Sequence, residues 1–115
     1  MVPIRLKSRQ WIVDENDNII FGEGRKVILE HIEKTGSLNQ TAKILKMSYK
    51  GVWSRIKATE AYLQEKIVDS NRKEGPKLTK AGKSLLEKYS LMKEKCVDGD
   101  DRIFGGIFGL GLWRE

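Results

Sequence analysis

Apolar and polar positions alternate along this chain in a way that predicts a hairpin, three helices, a second hairpin and a last helix. Near the start, "IRLKSRQWIV" alternates in part between apolar and charged residues, and the turn cluster "DENDN" leads into "IIF". These runs predict an N-terminal β-hairpin. The next stretch repeats apolar residues at helical spacing over residues 24–35, with Gly36 placed to end that helix.

The stretch "TGSLNQTAKILKMSYKGVWSRI" predicts two helices joined by a tight turn. Ser37 with Gln40 three positions later matches a capping box at the start of a short helix over residues 38–45. Ser48 is a natural N-cap for a third helix that runs to about Gln64. A turn of three or four residues between two such helices is typical of a helix-turn-helix.

The following segment, "KIVDSNRKEGPKLT", predicts two short strands around a basic loop, the arrangement called a wing. Thr79 is placed to cap a last helix from residue 80 to about residue 96. The predicted fold is therefore mainly α with a small β content: a winged helix-turn-helix with an N-terminal β-hairpin and a long C-terminal helix. We expect one domain over residues 1–96 and a Gly-rich apolar tail over residues 97–115.

The third helix is predicted to be buried on one side and basic on the other. An advance of about 100° per residue places four side chains on the buried side: Val52, Ile56, Thr59 and Leu63. Three side chains project outward, about 140° to 200° away: Lys50, Ser54 and Lys57. Tyr49 and Arg55 lie on the flanks of this outward face.

The charge distribution adds a candidate partner to this pattern. The chain has 115 residues, a size at which one compact domain is usual, and a formal net charge of +6. The excess lies in residues 37–83, which hold eleven basic and four acidic residues, a local charge of +7. An anionic partner is favoured by this distribution.

Several classes of protein are disfavoured by what the sequence contains. Cys96 is the only cysteine and His31 the only histidine, so neither an intrachain disulfide nor a usual zinc site is expected. No catalytic motif is recognisable, which predicts that the chain is not an enzyme and needs no cofactor. Without an apolar signal segment or a run of about 20 apolar residues, we expect a cytoplasmic protein that does not enter a membrane.

These features together predict a protein that binds duplex DNA through its third helix. Lys50, Ser54 and Lys57 are the candidates for contacts with base edges in the major groove, and Ser48, Tyr49 and Arg55 for flanking contacts. The candidates outside the third helix are Ser37 and Gln40 at the start of the second helix and Arg72, Lys73 and Lys77 on the wing. The alternative is a winged-helix module that docks on another protein and does not contact DNA.

Three segments, "TGSLNQTAK", "MSYKGVW" and "LTKAGKSLLEKY", give the chain a resemblance to a known family. Over residues 5–95 it resembles the N-terminal DNA-binding domain of ModE-type molybdate-responsive transcriptional regulators, a winged helix-turn-helix related to that of LysR-type regulators. The resemblance implies a cytoplasmic regulator that forms a homodimer through its first and last helices. It also implies a palindromic operator.

The sequence departs from that family at its C-terminal end. Full-length members continue into molybdate-binding domains, which the residues after 97 cannot form, and this puts molybdate sensing in doubt. Regulation without a ligand, through a partner, or by another effector stays open. The run "IFGGIFGLGLW" is too short to cross a membrane. It could be an interface strand, a disordered end or an interfacial anchor, and packing against the domain or a dimer partner is preferred.

Overall fold

The computed structural model describes residues 4–71 and 73–109 of the chain. Its elements follow the predicted order: β1 (Ile12–Val13), β2 (Ile19–Phe21), α1 (Glu23–Thr35), α2 (Leu38–Leu45), α3 (Tyr49–Leu63), β3 (Val68–Asn71), β4 (Gly75–Leu78) and α4 (Lys80–Phe108). Both strand pairs are antiparallel. The predicted class, a mainly α winged helix-turn-helix with an N-terminal hairpin and a long C-terminal helix, is confirmed. In the described part of the chain, every helix is too short or too polar to cross a membrane.

Side-chain hydroxyls fix where three of the helices begin. Each accepts a hydrogen bond from the backbone N–H three residues ahead: Ser37 (3.1 Å), Ser48 (2.9 Å) and Thr79 (3.0 Å). These bonds satisfy N–H groups that have no partner within the helix, and they confirm the predicted caps. The capping box at α2 is only half formed, because the Thr35 hydroxyl, and not Gln40, accepts the Ser37 N–H.

The core lies where α1 packs between the helix-turn-helix and α4. Its buried residues come from both hairpins and all four helices: Phe21, Ile28, Leu29, Ile32, Leu38, Ala42, Val52, Ile56, Ile67, Val68, Leu78 and Tyr89. The Phe21 and Tyr89 rings meet edge to face with centroids 5.1 Å apart, and the Tyr89 hydroxyl donates to the Gln10 carbonyl oxygen at 2.5 Å. These contacts attach the N-terminal segment to α4.

Three sequence-based expectations about this fold are wrong. The first strand is limited to Ile12–Val13, so most of the run from residue 4 is not strand. Leu63, predicted to be buried, is 42% exposed because it is the last residue of α3. The last helix does not end near residue 96 but continues to Phe108, where Gly109 adopts a left-handed conformation and donates its N–H to the Gly105 carbonyl oxygen at 2.7 Å.

The longer α4 changes the expected structure of the apolar tail. The predicted boundary at residue 96 falls within a continuous helix, and residues 103–108 are helical, so the strand interpretation does not apply to them. Ile103, Ile107 and Phe108 are 59%, 75% and 58% exposed. These three side chains, near the end of α4, are therefore largely in contact with solvent. The rest of the apolar run, from residue 110, lies outside the described residues.

Gly82, in the first turn of α4, allows this helix to start directly against the wing. A Cβ atom added at Gly82 would lie 2.1 Å from the carbonyl oxygen of Ile67, a backbone atom that cannot rotate away. Ile67 in turn accepts the Thr79 N–H at 3.0 Å. Any larger residue at position 82 has to separate α4 from the start of β3.

We therefore expect Gly82→Ala to lower the free energy of unfolding by roughly 1 to 3 kcal/mol, the usual effect of forcing atoms into a packed contact. Gly24→Ala is the matched control, because Gly24 also lies in a first helical turn but has no heavy atom within 4 Å of its added Cβ. The control is expected to leave stability unchanged or to raise it by up to about 1 kcal/mol. Urea unfolding followed by circular dichroism measures both, and equal effects would contradict this account.

Candidate nucleic-acid interface

The third helix has one fully buried side and one exposed side, as its sequence predicts. Val52, Ile56 and Thr59 are 0–2% exposed and face the core. The three outward candidates, Lys50, Ser54 and Lys57, are all exposed. The structure thus presents the predicted polar face of α3 to solvent, whereas its contact with a nucleic acid stays a prediction.

In the N-terminal half of α3, some polar side chains have hydrogen-bond partners among the described residues and others do not. The Ser48 hydroxyl accepts the Gly51 N–H as the helix cap. The Ser54 hydroxyl and the Arg55 guanidinium both donate to the Gly51 carbonyl oxygen, at 3.1 and 3.0 Å. Within the described part of the chain, the exposed side chains of Tyr49 and Lys50 make no hydrogen bond or ion pair. Lys50 is therefore the cation on this face best able to reach a partner.

Lys57 differs from Lys50 because its ammonium group already has two partners. Its Nζ lies 3.0 Å from Oε1 of Glu60 and 4.5 Å from the ring centroid of Trp53. Glu60 lies one turn C-terminal to Lys57 and Trp53 lies one turn N-terminal to it, so the ammonium group is held along the surface of α3. A contact between Lys57 and a base would require the ammonium group to leave these partners, so the structure favours Lys50 over Lys57 for that role.

Glu60, which sequence reasoning did not select, connects α3 to the wing. Its carboxylate is largely buried, and Oε2 accepts the backbone N–H groups of Ile67 at 2.8 Å and Val68 at 3.2 Å. Burial alone would raise the pKa of Glu60, but these hydrogen bonds and the Lys57 ammonium outweigh it and lower the pKa. The charged carboxylate thereby holds the start of β3 against α3.

Arg25 and Thr59 connect α3 to the N-terminal hairpin. The Thr59 hydroxyl donates to the Ile20 carbonyl oxygen at 2.7 Å. Nη1 of Arg25 lies within 3.0 Å of Thr59 Oγ1 and of the carbonyl oxygens of Ile19 and Ile20. The contacts of Thr59 with Arg25 and Ile20 join residues more than 30 positions apart, so the sequence placed Thr59 on the buried side of α3 but could not show what it bonds.

The remaining predicted contact residues lie on α2 and the wing. Ser37 is half-buried and serves as a helix cap, while Gln40 is exposed. Lys73 and Lys77 are exposed on the wing, and Lys77 lies 3.0 Å from Glu74, whose hydrogen bond and charge raise the pKa of Lys77. Arg72 lies outside the described residues. The structure thus has basic groups both on α3 and on the wing.

Comparison with known proteins places this arrangement in a family. Residues 27–83 match the model described as bacterial regulatory helix-turn-helix protein, lysR family. The chain is 32% identical over 87 residues to transcriptional regulator ModE of Yersinia pestis, an alignment that covers 69% of this chain and 33% of that protein. It is 31% identical over 80 residues to DNA-binding transcriptional dual regulator ModE of Escherichia coli strain K12, covering 65% and 30%.

A solved structure shows the same fold. In the complex of CbnR_DBD with DNA, the protein matches this chain with a TM-score of 0.60 at 23% identity, covering 73% of this chain and 95% of that one. The chain spans about a third of the length of the curated relatives. Those relatives are named as transcriptional regulators, in agreement with the sequence-based prediction that the chain is not an enzyme.

The role of Glu60 predicts how stability changes with pH. Because the folded state lowers the pKa of Glu60, its stabilising effect is complete above the ordinary glutamate value of 4.5 and is lost as the pH falls toward the lower folded-state pKa. Glu60→Gln should lower the free energy of unfolding by roughly 1 to 3 kcal/mol at pH 7. Urea titrations should show the difference from the unmodified chain shrinking as the pH drops below 4.5.

The control for this experiment is Glu65→Gln, because Glu65 is exposed and its carboxylate makes no ion pair with any described residue. This substitution should change stability little at either pH. A Glu60→Gln effect that stays constant down to acidic pH would show that the charge of Glu60 does not hold the wing.

Proposed function

Because this chain belongs, through its helix-turn-helix domain, to the lysR family of bacterial regulatory proteins, we propose that it is a sequence-specific DNA-binding regulator of transcription. The observation that carries the proposal is the geometry of α3. Its buried stripe fixes the helix on the core, and its opposite face exposes Lys50 and Ser54 without a carboxylate between them. A helix presented in this way fits the major groove, which is wide enough to admit one.

In this proposal the N-terminal half of α3 reads base edges. The Lys50 ammonium donates to guanine O6 and N7, while Tyr49 and Ser54 offer hydroxyls to bases or phosphates. Arg55 and Ser48 make flanking contacts. Lys57 contacts a base only if its ammonium group leaves Glu60. The remaining contacts are made around this helix by Ser37, Gln40, Arg72, Lys73 and Lys77. Each lysine or arginine that neutralises a phosphate releases counterions, so affinity falls as salt rises.

We also propose that the protein acts in the cytoplasm as a homodimer on a palindromic operator. A dimer presents two copies of α3 to two half-sites related by the same twofold axis. The exposed apolar residues Ile103, Ile107 and Phe108 at the end of α4 supply a surface that such pairing would bury. Large contiguous apolar patches on a protein surface mark interaction sites.

The same apolar end of α4 supports a second candidate function. A winged-helix module that docks on another protein would use this surface and leave the basic face of α3 in solvent. Such a module would bind duplex DNA weakly, with little dependence on salt. A titration of labelled duplex at two salt concentrations therefore distinguishes the two functions, because only a DNA-binding regulator should bind tightly and lose affinity as salt rises.

The proposed role of Lys50 predicts a loss of sequence discrimination. Lys50→Ala should weaken binding to a selected site by about 1 to 3 kcal/mol, because a hydrogen-bonding contact with a base edge is lost. Binding to random duplex should change much less. Fluorescence anisotropy with a site selected from random duplexes by the unmodified protein measures both affinities.

Lys95→Ala is the charge-matched control, since Lys95 is an exposed lysine on α4, a helix that packs on α1 and β4. It should leave both affinities nearly unchanged. Equal losses on the selected site and on random duplex after Lys50→Ala would assign Lys50 to a phosphate. No measurable binding of duplex by the unmodified protein would overturn the proposed function.

The proposed dimer makes a separate prediction at Ile107. Ile107→Glu should shift the chain from dimer to monomer in sedimentation equilibrium, because a carboxylate would be buried in the proposed interface. Stability of the monomer should not change, since Ile107 is 75% exposed there. Arg102→Gln, at an exposed polar position of the same helix, is the control and should leave the association constant unchanged. A dimer that tolerates Ile107→Glu would place the interface elsewhere.

A further inference from the structure

An open groove of about 700 Å³ is lined by residues of the N-terminal hairpin, α1 and α3. Its apolar wall includes Trp11, Ile19 and Met47, and its polar groups come from Arg25, Ser54 and Arg55. The lining residues include two arginines and no carboxylate among the described residues. The groove therefore combines cationic and apolar side chains, a combination that packing of the core does not require.

The two guanidinium groups act on each other across this groove. Burial lowers the pKa of Arg25, and the charge of Arg55 lowers it further. One nitrogen of Arg25, Nη1, is used by Ile19, Ile20 and Thr59. The other guanidinium nitrogens of Arg25, and those of Arg55 apart from its bond to Gly51, donate to no acceptor in the described part of the chain. An anion between the two arginines would relieve their repulsion and accept these N–H groups.

The position of the groove relative to α3 indicates which molecule carries this anion. Glu60 marks the side of α3 to which the wing is attached, through its bonds to Ile67 and Val68. Ala58, which lines the groove, lies about 160° around the helix from Glu60. The groove and the wing therefore lie on opposite sides of the exposed face of α3. A helix in the major groove is likewise bordered by two phosphate backbones, one on each side.

We propose that Arg25 and Arg55 together bind one phosphodiester of the DNA strand that lies on the side of α3 away from the wing. The inference rests on the proposed function and adds to it a site on the N-terminal hairpin. The phosphate accepts from both guanidinium groups, and the neighbouring deoxyribose packs on Trp11 and Ile19, which are 55% and 43% exposed. With the wing on the opposite strand, this contact fixes the orientation of α3 in the groove.

Arg55 is the residue at which this site can be tested without disturbing the fold. It is exposed, and within the described part of the chain its side chain donates to the Gly51 carbonyl oxygen, whereas Arg25 also supports the hairpin. We therefore pair Arg55→Ala with Arg25→Lys, which keeps the positive charge at position 25 but removes the planar fork. Urea unfolding confirms that each variant is folded before binding is measured.

The experiment uses a duplex selected by the unmodified protein, with one phosphate at a time replaced by a neutral methylphosphonate. In the unmodified protein, replacement at one position should weaken binding on the order of tenfold, because a charge-assisted contact is lost. Arg55→Ala and Arg25→Lys should each become insensitive, or much less sensitive, at that same position. Their responses at the other phosphates should be unchanged, as should every response of Lys95→Ala.

The outcomes separate this inference from the proposed function. If both variants retain the full response at every phosphate, or lose it at different phosphates, the shared site is wrong while DNA binding stands. If the unmodified protein binds no duplex, the proposed function fails and the shared site fails with it. Loss of the same single response in both variants, and not in Lys95→Ala, supports the site.

Discussion

The burial of one side of α3 is the constraint on which the rest of this structure depends. Val52 and Ile56 can leave water only if the remaining polar groups near them find partners, because an unpaired buried donor or acceptor is costly. The Thr59 hydroxyl meets the Ile20 carbonyl oxygen on one side, and the Glu60 carboxylate meets two backbone N–H groups on the other. The same bonds that satisfy these groups attach the hairpin and the wing to the helix.

Much of the fold was predictable because its signals are local. Ser37, Ser48 and Thr79 each satisfy a backbone N–H three residues ahead, so the cap can be recognised from neighbouring positions. The extension of α4 was not predictable in this way. Its Gly-containing, charged stretch argues against a helix by propensity, yet the helix continues until Gly109 supplies the left-handed conformation that ends it.

The candidate site was predictable only for the residues on α3 itself. Helical periodicity gives the direction of Lys50 and Ser54, and it also makes Glu60 and Trp53 neighbours of Lys57, a local signal that the sequence-based prediction did not use. It also assigned Leu63 to the core, although the helix ends there and leaves that side chain exposed. Arg25 was missed because its contact with Thr59, 34 positions away, exists only in the tertiary fold.

α4 is one continuous helix of 29 residues, so its apolar end has a fixed position and angle relative to the start of the helix at the wing. Inserting one residue after Met92 would turn that end by about 100° and move it about 1.5 Å along the axis, whereas seven would nearly restore the angle. In the proposed dimer, the length of α4 would therefore set the angle between one copy of α3 and the other.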